Sequence, residues 1–116
     1  MSRFKRVMSF GGRALILDEI AFASSQFPGF TLHELEEFHG SVYGFYETVF
    51  GVRMIRAEER LRAVAADSVA AAHLKVAPGT PLLRVDRIAY TYGDKAVEWR
   101  RGHCVTEGFS YCNELN

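Results

Sequence analysis

The sequence predicts an α+β domain in which helices pack on an antiparallel sheet, and the sheet is built from two similar halves. Three observations lead there. "FKRVMSFGGRALILDE" (residues 4–19) and "PGTPLLRVDRIAYTYGDKAVEWR" (residues 78–100) each spell a strand, a glycine turn and a second strand. At one offset of 81 residues, Arg6 falls on Arg87, Val7 on Ile88, Gly12 on Gly93 and Ile16 on Val97. Between the two hairpins lie segments with helix caps and helical apolar spacing. Two copies are too few for a solenoid, which needs at least three.

In residues 4–19 the alternation is clearest in Phe4, Arg6, Met8 and Phe10, which predicts one shared strand face before Gly11-Gly12. "FASSQFPGF" is a turn-rich link punctuated by Pro28-Gly29. In "FTLHELEEF", Thr31 and Glu34 form a capping box, and Phe30 with Leu35 can form the hydrophobic staple. Gly40 is expected to end that helix. Ser41 can cap the next one, whose apolar face is Val42, Phe45, Tyr46, Val49 and Phe50 and which Gly51 closes. The run "VRMIRAEERLRAVAADSVAAAHL" favours helix by propensity, although Ile55, Ala57, Leu61 and Ala63 also fit one side of a strand. Asp67 can cap a short helix through Leu74. Gly93-Asp94 suits a primed hairpin turn, and "HCVTEGFSYCNELN" reads as a further strand ending near Tyr111.

The 116 residues are enough for one small domain with its own core. Fourteen basic and fourteen acidic side chains cancel, which weighs against a nucleic-acid module, since such modules carry a basic excess. Cys104 and Cys112 fit neither a disulfide framework nor a zinc site, and His33, His39, His73 and His103 are scattered. No metal or cofactor is expected. "MSRFKRVMSFGGRALIL" is broken by charges and Gly-Gly, so neither a signal peptide nor a membrane span is expected, and the chain reads as cytoplasmic.

With these pieces in order, the chain resembles the UbiC transcription regulator-associated (UTRA) domain, the effector-binding half of GntR-type bacterial regulators of the HutC subfamily. The residues carrying the resemblance are Phe27-Pro28-Gly29 before a helix, "SVYGFYETVFGVRMIRAEERLRA" and "LKVAPGTPLLRVDRIAYTYGDKAVEW". The family's Ser-Leu-Tyr appears as Ser41-Val42-Tyr43, its Gly-Thr-Pro-Leu-Leu stands at 79–83, and its Pro-Val-Glu appears as Ala96-Val97-Glu98. The resemblance implies a chorismate lyase-like fold and makes residues 52–64 a strand despite their helical propensity. It also implies that residues 1–116 are a sensor whose first strand and helix, and whose DNA-binding winged helix-turn-helix, are not present. A homodimer that binds a small-molecule effector and reaches DNA only through that other domain is the expected state.

Arg6 is the leading ligand-binding candidate, because a guanidinium among Phe4, Met8 and Phe10 needs an anionic partner. From the residues alone, a ligand and an internal pair with Asp18 or Glu19 are equally open; the resemblance favours the ligand. Arg87 is expected to pair with a carboxylate such as Asp86 or Glu98. Ser41 and Tyr43 stand at a helix start, where free N–H groups favour an anion, or they merely cap and pack. The resemblance to sugar-phosphate sensors makes both of them effector contacts. It adds Glu98, which matches a family glutamate, and His103, which stands where an aromatic is usual.

Phosphate-binding members carry a second arginine where this chain has Met8, and often one on the last strand where it has Val105. The expected effector is therefore less charged, a small carboxylate or a largely apolar acid. No nucleophile–base pair supports catalysis, so no enzyme is expected. The alternatives are a chorismate lyase-like enzyme on the same fold and a dimerisation module without ligand.

Overall fold

The computed structural model describes residues 2–108 and 110. Its elements are β1 (Ser2–Phe10), β2 (Arg13–Phe22), α1 (Leu32–Glu37), α2 (Val42–Phe50), β3 (Arg56–Ala65), α3 (Ser68–Leu74), β4 (Pro81–Thr91) and β5 (Lys95–Val105). The five strands form one sheet in the order β1-β2-β5-β4-β3, with every neighbouring pair antiparallel. This is the α+β architecture expected from the sequence.

The duplication is visible in the strand order. The β1-β2 and β4-β5 hairpins abut through β2 and β5, so an approximate two-fold relates the halves. Each hairpin carries one irregularity in its ladder, between Met8 and Ser9 in the first and between Ala89 and Tyr90 in the second, again 81 residues apart. The turns differ. Phe10 pairs with Arg13 around Gly11-Gly12, whereas Thr91 pairs with Lys95 around three residues, with Gly93 at φ 71° and Asp94 at φ 54°. The longer turn moves the offset to 82 on the second strands. Ile16 therefore corresponds to Glu98 rather than Val97, and Asp18 corresponds to Arg100.

Capping follows the sequence closely. Thr31 accepts from the Glu34 N–H at 3.2 Å, Ser41 from the Gly44 N–H at 2.9 Å and Asp67 from the Ala70 N–H at 2.8 Å. Helix α1 ends before Gly40, because Phe38 turns extended and packs its ring 5.4 Å from Phe45. Residues 56–65 are a strand at the sheet edge, as the resemblance implied and propensity did not, although residues 52–55, which the resemblance included, lie before it. Phe10, at the end of β1 beside the turn, lies exposed, whereas Phe4, Arg6 and Met8 are partly buried. His103 and Cys104 end β5 and begin no further strand; the rest of that expectation, including Tyr111 and Cys112, lies outside the described residues.

Two cores clamp the sheet. One face carries an aromatic cluster that includes Phe22, Phe27, Phe45 and Tyr46 under the α1–α2 segment. On the other face, Ala70, Ala71 and Leu74 of α3 pack on Leu17, Leu82 and Val105. Among the described residues no helix is long and apolar enough to cross a membrane.

Candidate functional site

Strand alternation decides which side chains meet, because directly opposed residues share a face. On the face beneath α1 and α2, one row across the sheet reads Phe4, Ile20, Arg100, Arg87, Glu59. The next reads Arg6, Asp18, Gly102, Val85, Leu61, and on the other side Phe22, Glu98 and Ala89 align. Three arginines and three carboxylates therefore converge on one face, walled by aromatic rings.

Arg6 points inward, its side chain 18% exposed, and its Nε donates to Asp18 Oδ2 at 3.3 Å. Its two terminal nitrogens make no hydrogen bond to a described residue. Burial raises the Asp18 carboxyl above the usual value; Arg100 and Arg6 oppose that shift and Glu98 adds to it. The internal pair foreseen as one alternative thus exists, through a single donor of a five-donor group.

Glu98 is fully buried. Arg100 Nη2 donates to both of its oxygens at 3.0 Å, and the Tyr46 hydroxyl donates to it as well. Burial and the Glu98 charge hold the Tyr46 phenol well above its ordinary value, so it stays a donor. Burial alone would lower the Arg100 value, but Glu98 and Asp18 outweigh it and keep the guanidinium charged.

Tyr43 lies over the two arginines of the second hairpin. Its hydroxyl accepts from Arg87 Nη1 at 3.1 Å, and its ring centroid lies 5.3 Å from the Arg87 guanidinium carbon and 5.7 Å from that of Arg100. Arg87 pairs with neither Asp86 nor Glu98. Its Nε lies 3.1 Å from Glu59 Oε2 on the neighbouring strand, without hydrogen-bond alignment. Asp86 sits on the opposite face, held by Arg101 at 2.7 Å and Arg84 at 3.0 Å.

Of the residues singled out from sequence, Arg6 and Glu98 share the helix-covered face two rows apart, and Tyr43 lies over Arg87 and Arg100 in the row between them. Ser41 stands at the exposed start of α2, where its oxygen accepts from the Gly44 N–H. His103 does not join them: opposed to Leu17 and Arg84, it lies on the other side of the sheet. Val105 is buried against α3, so the absence of an arginine there says nothing about this site. Tyr46, Arg100 and Gly102 were missed. Tyr46 follows Tyr43 by three residues on one helix, and Arg100 follows Glu98 by two on one strand, spacings that could have revealed both.

Comparison with known proteins bears on this geometry. The family model described as the UTRA domain matches residues 1–110. The solved ligand-binding domain of a Bordetella bronchiseptica protein assigned to the GntR family of transcriptional regulators is 44% identical, with a TM-score of 0.88, over 98% of this chain and 70% of that one. A GntR-family regulator from Enterococcus faecalis V583 is 19% identical, with a TM-score of 0.86, over 97% of this chain and 79% of that one. PhnF from Mycobacterium smegmatis is 22% identical, with a TM-score of 0.83, over 98% of this chain and 49% of that one; both of these latter likenesses concern the fold. No curated protein matches.

Proposed function

The chain belongs to the UTRA domain family, as an effector-binding regulatory domain of the GntR type, and from that premise we propose that it senses a small monocarboxylate on the helix-covered face, with Arg6 as anchor. The observation that carries this reading is the half-used guanidinium of Arg6: partly buried on the strand face of Phe4 and Met8, bound once to Asp18, with its terminal nitrogens engaged by no other described residue. A carboxylate takes two parallel N–H bonds from such a group. The Ser41 hydroxyl and Tyr43 complete the polar contacts, while Glu98 fixes Arg100 and Tyr46.

Charge balance sets the ligand class. Arg6 faces Asp18, Arg87 faces Glu59 and Arg100 faces Glu98, so the site is close to neutral before anything binds. A dianionic phosphate meets no free cationic excess there, whereas one negative charge can replace that of Asp18. Asp18 then takes up a proton as Arg6 passes to the ligand, a step favoured by the raised value of its buried carboxyl. The domain performs no reaction in this reading. It works as a dimer in the cytoplasm, and occupancy changes the placement of attached DNA-reading domains, whose spacing must match two half-sites.

Titration calorimetry with benzoate, phenylacetate, lactate and glucose 6-phosphate tests the reading. At least one monocarboxylate is expected to bind more tightly than the sugar phosphate, with net proton uptake shown by buffer-dependent heats. Tighter binding of glucose 6-phosphate overturns it.

A further inference from the structure

The opposite face of the sheet holds a groove of about 880 Å³ that α3 leaves uncovered. One row across it alternates in sign: Lys5, Glu19, Arg101, Asp86, Arg60. Asp86 is neutralised within the sheet by Arg101 at 2.7 Å and Arg84 at 3.0 Å. The neighbouring row runs Arg3, Ala21, Trp99, Ile88, Glu58, which places an apolar floor between charged edges. Arg3 and Lys5 are exposed on the β1 edge and make no ion pair or hydrogen bond with a described residue.

We infer that this groove is a second anion site, taking an oligophosphate that carries a flat ring, the nucleotide class, with the ring against Trp99 and the phosphates on Arg3 and Lys5. The spacing supports it. Arg3 stands two strands from Trp99 in the same row, about 10 Å at ordinary strand separation. That is within reach of an extended oligophosphate chain whose ring lies on the indole. The groove has the size of small-molecule pockets, and its lining carries more arginine and lysine than acid. A second copy of the chain would set that same excess against itself, whereas a polyanion relieves it. The inference is independent of the carboxylate reading, which concerns the other face.

Trp99 is the only tryptophan of the sequence, so its fluorescence reports on the groove directly. ATP is expected to quench it saturably at physiological salt. Inorganic tripolyphosphate is expected to bind at least tenfold more weakly, for lack of a ring. The Arg3→Ala/Lys5→Ala double variant should show the ligand-free spectrum and thermal melt of the parent and bind ATP at least tenfold more weakly. The inference is overturned by unsaturable quenching, by equal affinity for tripolyphosphate or by unchanged affinity in the variant. Dilution-dependent fluorescence without ligand, tracking a dimer mass, would assign the groove to a second copy and equally overturn it.

Discussion

Glu98 shows how one buried side chain can hold two others in place. It accepts from Arg100 and Tyr46 at complete burial, so removing its charge leaves a guanidinium and a phenol with a weaker partner. Glu98→Gln is expected to cost on the order of 2–3 kcal/mol in urea unfolding, as for hydrogen bonds to charged groups. Asp18 has the opposite character, since its burial favours the protonated form. Its contribution to stability is complete below the unfolded value and fades as pH rises through the raised folded one. The same sign governs binding: carboxylate affinity should rise as pH falls towards the folded value of Asp18. In Asp18→Asn that pH dependence should vanish and binding at neutral pH should tighten, because the competitor for Arg6 is gone. Calorimetry across pH checks both outcomes. The sequence showed Arg6 and Asp18 as potential partners but not Arg100, whose place beside Glu98 follows only when strand alternation is applied to "EWRR". His103 misled for the same reason: one residue along a strand reverses the face.

At the scale of elements, the caps were the most legible features, since a cap is decided by residues within three positions of each other. Thr31, Ser41 and Asp67 each hold the N–H three residues on. Asp67→Ala is expected to lower stability by about 1 kcal/mol in chemical denaturation. Strand β3 was the least legible. Its Ala, Glu, Arg and Leu residues favour a helix, and only pairing with β4 makes them a strand. Apart from partly buried Val64, every residue of β3 is exposed, so no buried face records its period in the sequence. Helix α2 is more tightly specified, because Phe45 and Tyr46 are buried among Phe27, Phe30 and Phe50. Phe45→Ala should destabilise by about 3–5 kcal/mol through the cavity it leaves, measured by the shift in unfolding midpoint.

For the whole molecule, the repeat was readable because two hairpins kept their turn glycines, and it misaligned where the second turn gained a residue. That extra residue places Glu98, rather than Val97, at the position corresponding to Ile16. The approximate symmetry also carries a functional asymmetry: Arg6 meets Asp18 in one half, whereas Arg87 stands opposite Arg100 in the other. The open face adds a pH signature of its own. Burial would raise the Asp86 carboxyl, but Arg101 and Arg84 overcome that and hold it below its ordinary value. Its stabilisation is complete above the unfolded value and is lost as pH falls through the depressed one. The parent should therefore exceed Asp86→Asn in stability by under about 1 kcal/mol at neutral pH, and the gap should close in acid.

The most direct measurement is a calorimetric comparison of the parent chain with Arg6→Gln, each titrated with benzoate, phenylacetate and lactate. The tightest monocarboxylate of the parent should lose at least tenfold in affinity in the variant, while circular dichroism and melting stay close to the parent. Equal affinity in the two proteins would contradict the assignment of Arg6 as the effector anchor.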